Sequence, residues 1–150
     1  MVFLFAPDSF KGSLTALEAA RLLDEAARAR FPGVETRLVP VADGGEGTVE
    51  ALVLATGGKT CGCAVTGPMG GLVSATYGVL GDGVTAVLEM AQASGLPLVP
   101  PGERDPMRAS TYGTGELIRH ALDAGYRRLL IGIGGSATND GGMGALAALG

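Results

Sequence analysis

Three polar loops that contain glycine carry the residue types that could do chemistry. They are DSFKGS at 8–13, DGGEGT at 43–48 and GGSATNDGG at 134–142. Carboxylates, hydroxyls and an ammonium beside free backbone N–H groups suit the binding of a phosphate, an organic acid or a magnesium ion. Each loop follows a predicted strand, and open α/β sheets bind ligands at that end of their strands. The loops therefore indicate a site for small anionic ligands.

The first loop places charged and hydroxyl side chains immediately before a predicted helix. Asp8, Ser9, Lys11 and Ser13 supply a carboxylate, two hydroxyls and an ammonium. Helix N-termini bind anions through free N–H groups, and Lys11 would add a point charge for a phosphate or a substrate carboxylate. Alternatively, Ser13 or Thr15 only caps the helix and Lys11 is solvated. Both interpretations stay open at this point.

The second loop combines two carboxylates, Asp43 and Glu46, with three glycines. A magnesium ion is typically held by one or two acidic oxygens together with water and phosphate oxygens, so these two residues are the candidate metal ligands. The alternative is an ordinary turn whose acidic residues complement the dipole of the next helix. Three glycines in six residues exceed what a turn needs, which favours the magnesium site.

The third loop is the strongest functional signal in the chain. A glycine-rich segment between a strand and a helix presents backbone N–H groups as an anion nest, to which hydroxyl and amide side chains add neutral hydrogen bonds. A tight strand-to-helix turn is the alternative, but it rarely needs four glycines and four polar residues. The candidate phosphate- or substrate-binding residues in this loop are Gly134, Gly135, Ser136, Thr138, Asn139 and Gly141, with Asp140 beside them.

Two nucleotide-binding signatures are matched only in part. The segment GGKT at 57–60 resembles the end of a P-loop, but Val53 stands where the first glycine belongs. Gly132, Gly134 and Ala137 match GxGxxA after a strand, a weak dinucleotide-type signal. A nicotinamide-dependent oxidoreductase is therefore an alternative function.

Four further residues have a structural explanation beside the functional one. His120, the only histidine, falls on the polar face of a predicted helix, which favours a solvated side chain over a catalytic base. Glu89 ends a strand and is either a further carboxylate of the site or simply solvated. Thr111 and Thr114 either touch a ligand or cap the helix that follows, where Thr114 is the predicted cap.

The first third of the chain reads as β-α-β-α, which is typical of a parallel sheet. Val2–Ala6 is a continuous apolar run and predicts a strand buried on both faces. Thr15 and Glu18 form a capping box for an alanine-rich helix through about Arg30. A second strand over Val34–Val41 and a short helix over Thr48–Ala55 follow.

After Lys59 the pattern changes to antiparallel hairpins and predicts a second sheet. Strands are expected up to Thr66, over Leu72–Leu80 and through Glu89. Ser94–Arg108 carries four prolines and predicts an irregular connection. Leu129–Ile133 is again predicted to be a buried strand.

Composition excludes several classes of protein. Hydrophobic residues make up 47% of the chain and charged residues 17%, which excludes a disordered chain, and the 26 glycines predict many turns. A net charge of −4 without a Lys/Arg cluster argues against nucleic acid and anionic membranes as partners. No apolar run approaches a membrane span, and no signal peptide is recognisable. Cys61 and Cys63 fit reduced thiols in a cytoplasmic protein.

Five sequence blocks closely resemble the bacterial glycerate kinase family of the GarK/GlxK type. In chain order they are APDSFKGS, VPVADGGEGT, TGP, STYGTGELI and IGIGGSATNDGG. The resemblance implies phosphorylation of D-glycerate by ATP with Mg2+, with 2-phosphoglycerate as the favoured product. It also implies a flavodoxin-like parallel-sheet domain, an inserted, restriction-enzyme-like α/β domain with antiparallel hairpins, and an active site in the cleft between them.

Family members are longer than this chain, so the resemblance implies that the chain covers only part of both domains. The segment MGALAALG at 143–150 looks like the first turns of a helix, which also predicts a fragment of a longer protein. The expected division is 1–65 for the first part of the flavodoxin-like domain, 66–105 for a hairpin-rich segment that starts the second domain, and 106–150 for an α/β segment with the glycine-rich loop.

Within the resemblance, site roles follow from the chemistry of the motifs. Phosphoryl transfer needs positioning and charge neutralisation more than covalent chemistry. Lys11 and the third loop are expected to hold phosphate, Asp43 and Glu46 to hold magnesium, and Asp8 or Asp140 to orient the glycerate hydroxyl. The expected partners are glycerate and ATP, with homo-oligomerisation left open. A non-enzymatic module that binds a small acid is a further alternative.

Overall fold

The computed structural model describes all 150 residues, Met1–Gly150, and they form two compact units, Met1–Asp43 and Gly44–Gly150. The first unit contains strand β1 (Val2–Phe5), helix α1 (Ala16–Arg30) and strand β2 (Glu35–Leu38). The elements of the second unit are α2 (Thr48–Thr56), β3 (Lys59–Thr66), β4 (Leu72–Val79), β5 (Thr85–Glu89), α3 (Ala91–Ser94), α4 (Tyr112–Asp123), β6 (Arg128–Gly132) and α5 (Met143–Leu149). The three-part division at 65 and 105 stays a prediction.

In the first unit, β1 and β2 pair in parallel, with Val2 opposite Glu35. Helix α1 connects them and begins with the predicted capping box, in which Glu18 N–H donates to Thr15 Oγ1 at 3.2 Å and Thr15 N–H donates to Glu18 Oε2 at 2.8 Å. Its buried side chains are all alanines, namely Ala16, Ala19, Ala20 and Ala27. Because alanine side chains are small, this face of α1 can pack closely against its neighbours.

The prediction that Val2–Ala6 is buried on both faces is wrong. Val2 is 52% exposed and Leu4 63% exposed, whereas Phe3 and Phe5 are half-buried. Phe3 packs edge-on against Phe31, which follows α1, with 5.5 Å between ring centroids. Because successive side chains of a strand point to opposite faces, only the face with the phenylalanines is covered within this unit.

The second unit is built on a four-stranded mixed sheet in the order β3-β4-β5-β6. The two antiparallel pairs, β3 with β4 and β4 with β5, confirm the predicted hairpins, and β6 adds to β5 in parallel. The core of the unit lies between this sheet and α4 and consists of Val65, Ala75, Tyr77, Val79, Ala86, Leu88, Ala93, Leu117 and Ala121. One parallel sheet and one mixed sheet make the chain a mixed α/β protein.

Helices cover both faces of the central strand β5, all of whose residues are buried. Ala86 and Leu88 belong to the core under α4. Val87 points to the other face, where a Cβ on Gly78 of β4 would press on Val53 of α2 and on Val87 itself. Strand β5 therefore ends in the interior, which buries whatever side chain stands at its last position.

Two sequence-based assignments in this unit are wrong. Leu129–Ile133 was expected to be a buried strand, but β6 is the edge of the sheet, and Leu130 is 49% and Ile133 75% exposed. A continuous apolar run does not distinguish a central strand from an edge strand. Thr114 is not a helix cap, because α4 begins at Tyr112 with Thr111 as its N-cap. The predicted irregular connection over Ser94–Arg108 is confirmed apart from two short 3-10 turns, Leu96–Leu98 and Pro101–Glu103.

None of the helices combines the length and the apolar character that crossing a membrane requires.

Candidate functional site

Two glycine-rich segments of the second unit pack backbone against backbone. Gly134 N–H donates to Gly44 O at 2.9 Å. A Cβ on Gly132 would overlap Gly44 O, and a Cβ on Gly134 would lie 2.7 Å from Gly45 Cα. Glycine is therefore needed at 132 and 134 because their backbone lies against that of Gly44 and Gly45. The sequence motif did not indicate this packing.

The next residues of the third loop run along the segment that follows α3. Leu96 N–H donates to Gly135 O at 2.8 Å and Ala137 N–H donates to Ser94 O at 2.9 Å. Gly135 has a φ of +73°, a backbone conformation that favours glycine. These contacts hold the loop in place through one carbonyl group, that of Gly135, and one N–H group, that of Ala137.

Several donors of this loop have no acceptor within the chain. They are the backbone N–H groups of Gly135, Ser136, Asn139, Asp140 and Gly141. Ser136 Oγ lies 2.8 Å from Thr138 Oγ1 and accepts from Thr138 N–H at 3.0 Å. A loop that presents free N–H groups beside two hydroxyls can accept an oxyanion, as the sequence predicted for a phosphate.

Asp140 connects the starts of two helices. Its Oδ2 accepts from the N–H and the hydroxyl of Thr111, each at 2.8 Å, and from Gly144 N–H at 3.1 Å. Its Oδ1 accepts from Gly142 N–H at 3.1 Å. Burial acts to raise the pKa of Asp140, but the hydrogen bonds from Thr111, Gly142 and Gly144 outweigh it and lower the pKa below its usual value. The carboxylate is thus held charged by groups of the protein.

Glu89 is buried, which makes the solvated alternative for this residue wrong. It is 1% exposed at the end of β5, and its Oε1 accepts from Val49 N–H at 2.5 Å in the first turn of α2. The burial of this carboxyl raises its pKa, and the nearby charge of Glu46 acts in the same direction. Glu89 therefore fixes the start of α2 and with it the loop that carries Glu46.

Glu46 is exposed and lines a cavity of about 150 Å³ together with Glu89, Ser74 and Gln92. The second predicted metal ligand, Asp43, is an exposed residue at the end of the first unit. No group of three or more His, Cys, Asp or Glu residues forms a ready-made metal site. The magnesium role of Asp43 and Glu46 stays a prediction.

Thr111 and Thr114 are both buried, at 1% and 5% exposed. Thr111 Oγ1 donates to Asp140 and accepts from Ala145 N–H at 2.9 Å, while Thr114 Oγ1 lies 2.7 Å from Ser94 Oγ. A direct bond from either hydroxyl to a ligand would require these internal contacts to break. Both side chains tie α4 to neighbouring segments, and their ligand contacts stay a prediction.

The block STYGTGELI also has structural contacts that the sequence did not signal. A Cβ on Gly113 would overlap Thr66 O, and a Cβ on Gly115 would overlap Ala145 O in α5. Glu116 Oε2 accepts from Thr66 N–H at 2.6 Å. These partners lie 30 to 50 positions away in the chain, so no local pattern could have indicated them.

The first loop belongs to the other unit and is described by itself. Asp8, Lys11 and Ser13 are exposed, and Ser9 is half-buried with its N–H donating to Asp8 Oδ1 at 2.6 Å. The capping box places the carboxylate of Glu18 at the start of α1, where an anion would otherwise meet free N–H groups. The carboxylate of Glu18 therefore takes the place that an anion would have at this helix start. Anion binding by Lys11 stays a prediction.

Comparison with known proteins identifies the family. The model of the glycerate kinase family matches residues 3–150. This chain belongs to the glycerate kinase family. The resemblance of the five sequence blocks is thereby confirmed.

Individual relatives are similar over the whole chain. A protein of Bacillus subtilis (strain 168) named glycerate kinase is 59% identical over 150 residues, which are 100% of this chain and 39% of that protein. A protein of Escherichia coli (strain K12) named glycerate 2-kinase is 54% identical over 150 residues, again 100% of this chain and 39% of that protein.

The fold is shared with a solved structure as well. The crystal structure of a "putative glycerate kinase 2" from Salmonella typhimurium LT2 has 55% sequence identity and a TM-score of 0.83, covering 100% of this chain and 40% of that one. The mixed α/β fold is thus confirmed. This chain spans about two fifths of the length of the relatives that it matches.

Proposed function

We propose that this chain is part of an enzyme that transfers the γ-phosphoryl group of ATP to a hydroxyl of D-glycerate. Family membership supports the reaction, and the Escherichia coli relative named glycerate 2-kinase supports 2-phosphoglycerate as the product. The structural observation that carries the proposal is the third loop, where the free N–H groups of Gly135, Ser136, Asn139, Asp140 and Gly141 suit an oxyanion.

Phosphoryl transfer of this kind requires alignment and charge neutralisation. We assign phosphate binding to the third loop, where Ser136, Thr138 and Asn139 add neutral hydrogen bonds to those of the backbone. Lys11 supplies a positive charge for a phosphate or for the carboxylate of glycerate. Each of these groups is exposed or half-buried, which a ligand-binding role requires.

The hydroxyl of glycerate must be oriented by an acceptor, for which Asp8 and Asp140 were the candidates. Asp140 already accepts five hydrogen bonds, from Ser110, from Thr111 and from the start of α5. Asp8 is exposed and accepts only from its neighbour Ser9. This difference supports Asp8 as the group that orients the hydroxyl and Asp140 as the residue that positions the third loop.

Magnesium is the expected counter-ion of the nucleotide. Mg2+ takes one or two protein carboxylates and completes its coordination with water and phosphate oxygens, so the donor set of Asp43 and Glu46 fits it without a third ligand. When bound, the ion supplies neutralisation of charge on the phosphates. Glu89 would contribute indirectly, because its bond to Val49 fixes the start of the helix behind Glu46.

The nicotinamide-dependent alternative receives no support from the comparisons. The geometry also disfavours it, because a dinucleotide fingerprint places its glycines at the start of a helix. Here α5 begins at Met143, six residues after Ala137, and Gly132 and Gly134 face the backbone of Gly44 and Gly45. A module that binds a small acid without turnover would share the loops and is distinguished only by an activity assay.

The finer organisation follows the family resemblance. We propose a flavodoxin-like domain and an inserted, restriction-enzyme-like α/β domain, of which this chain supplies the segments 1–65, 66–105 and 106–150. We also propose a cytoplasmic location, with glycerate and ATP as the small-molecule partners.

A coupled assay of ADP formation tests the proposed function in the full-length protein. ADP should form only when D-glycerate and Mg2+ are both present, because the acid is the acceptor and the ion neutralises the phosphates. L-Glycerate and lactate serve as matched controls for the acceptor. Binding of glycerate without ADP formation would favour the binding module, and reduction of NAD would favour the oxidoreductase.

A further inference from the structure

A second, smaller pocket of about 120 Å³ lies in the second unit beside the third loop. Its walls are mostly apolar and come from the turn after β3, from the 3-10 segment, from the chain before α4 and from the loop itself. The apolar lining residues are Met69, Leu96, Val99, Pro106, Ala109 and Ala137. Val99 and Ala109 are buried, at 2% and 5% exposed, whereas Leu96 and Pro106 are exposed, so the pocket reaches from the surface to the packed interior.

The polar part of the wall consists of one cation and one anion, Arg104 and Asp105. Arg104 Nε donates to Val99 O at 3.3 Å, which holds the guanidinium at the wall, and no other group of the chain accepts from its terminal nitrogens. Asp105 Oδ1 accepts from Met107 N–H at 3.0 Å. Arg104 and Asp105 carry charges of opposite sign, so the pocket has no net charge. It therefore suits an uncharged, planar ligand better than an anion.

We propose that this pocket binds the purine base of the nucleotide. The inference rests on the proposed function, because it takes the third loop as the phosphate site. Ala137 belongs both to the pocket wall and to that loop, between Ser136 and Thr138. A single nucleotide can therefore place its phosphates on the free N–H groups and its base between the apolar walls.

The chemistry of the pocket wall favours a purine base over glycerate as the ligand. Glycerate carries a carboxylate and two hydroxyls, and apolar walls would leave most of these groups unpaired at a considerable cost. A purine is flat, and most of its surface suits apolar contact in a concave pocket. The planar guanidinium of Arg104 can in addition stack on an aromatic ring, which an ammonium in its place would do less well.

The first test narrows the pocket from the loop side. Ala137→Leu in the full-length protein should raise the KM for ATP about tenfold or more, because the larger side chain takes the space of the base. The KM for D-glycerate and the inhibition constant of tripolyphosphate, which has phosphates but no base, should change less than about twofold. Ala55→Leu, at an exposed position of α2, is the matched control.

The second test removes the stacking cation without narrowing the pocket. Arg104→Leu should raise both the KM for ATP and the calorimetric Kd of ADP about three- to fivefold, whereas Arg108→Leu should not. Arg108 is exposed, lies four residues further along and does not line the pocket. The melting temperature of Ala137→Leu shows whether that variant folds. If it does not, the comparison of Arg104→Leu with Arg108→Leu decides whether the pocket binds the base.

The outcomes separate the pocket from the reaction. An unchanged affinity for ATP and ADP in the Arg104 and Ala137 variants would overturn the inference, and so would a rise in the KM for glycerate alone. If the wild-type protein binds ADP but forms none from ATP and glycerate, the proposed reaction fails. Weaker ADP binding by Arg104→Leu would then still support the base pocket.

Discussion

At the scale of the residue, Asp140 and Glu89 are carboxylates that both accept backbone N–H groups, yet their pKa values move in opposite directions. Burial acts to raise both. For Asp140 the bonds from Thr111 and the start of α5 outweigh burial, whereas for Glu89 burial outweighs the bond from Val49. Asp140 therefore stabilises the fold as a charged group, and Glu89 is the residue whose protonation is favoured by folding.

The raised pKa of Glu89 predicts a definite pH dependence. Between its unfolded and its folded pKa the native state binds more protons, so the contribution of Glu89 to stability falls as pH rises above about 4.5. Glu89→Gln keeps an oxygen for Val49 N–H but stays neutral. The melting temperature of this variant, relative to wild type, should therefore increase from about pH 4 to about pH 8.

Differential scanning calorimetry of the full-length protein measures this difference. Glu103→Gln, at an exposed position, is the matched control and should show no such trend. A constant difference between Glu89→Gln and wild type across the pH range would show that the carboxyl of Glu89 does not change its protonation with folding.

The contrast between these residues also shows what a sequence can predict. The capping box of Thr15 and Glu18 depends on residues three positions apart and was predicted correctly. The bond between Glu89 and Val49 joins residues 40 positions apart, and only the assembled sheet brings them together. Local spacing therefore predicted the cap of α1, but it could not predict which carboxylate becomes buried.

At the scale of the element, the strands and the longer helices of both units were predicted from their apolar pattern, whereas the short helix α3 was not predicted. What the pattern could not supply was the position of a strand within its sheet. The apolar runs over Val2–Ala6 and Leu129–Ile133 look equally suited to a central strand, yet β1 has an open face and β6 is an edge. Edge position depends on the order of pairing, which is a property of the whole sheet.

The two packed glycine segments give a prediction at the same scale. A Cβ on Gly134 would meet backbone atoms of Gly45, which cannot rotate away as a side chain can. Gly134→Ala should therefore lower the free energy of unfolding by about 1–3 kcal/mol, in the range of overpacking a tight interior. Gly62→Ala, in strand β3 with open space around its Cα, should change it by less than about 0.5 kcal/mol.

Chemical denaturation of the full-length variants provides the measurement. Equal midpoints and slopes for Gly134→Ala and Gly62→Ala would mean that the two glycine segments do not pack as described. The only remaining reason for glycine at 134 would then be the close approach of a ligand to the backbone, which is the role that the sequence motif predicts.

At the scale of the whole molecule, large apolar side chains are exposed on three elements. Val2 and Leu4 lie on the open face of β1, Ile133 follows the edge strand β6, and Leu146 is 61% exposed on α5. Monomeric proteins seldom leave extended apolar patches in water. The relatives that match the chain are about two and a half times as long, which offers a source of cover for such surfaces.

These exposed faces predict how the 150 residues behave alone. We expect them to bind the dye ANS, to melt over a broad temperature range and to form no ADP with glycerate, because apolar faces and sheet edges remain open. A chimera in which the chain is followed by the remainder of the Bacillus subtilis relative should lose ANS binding and gain turnover. A sharp cooperative melt of the 150 residues alone, without ANS binding, would contradict the inference that these faces need a cover. Turnover by them alone would show that the phosphoryl-transfer site is complete within Met1–Gly150.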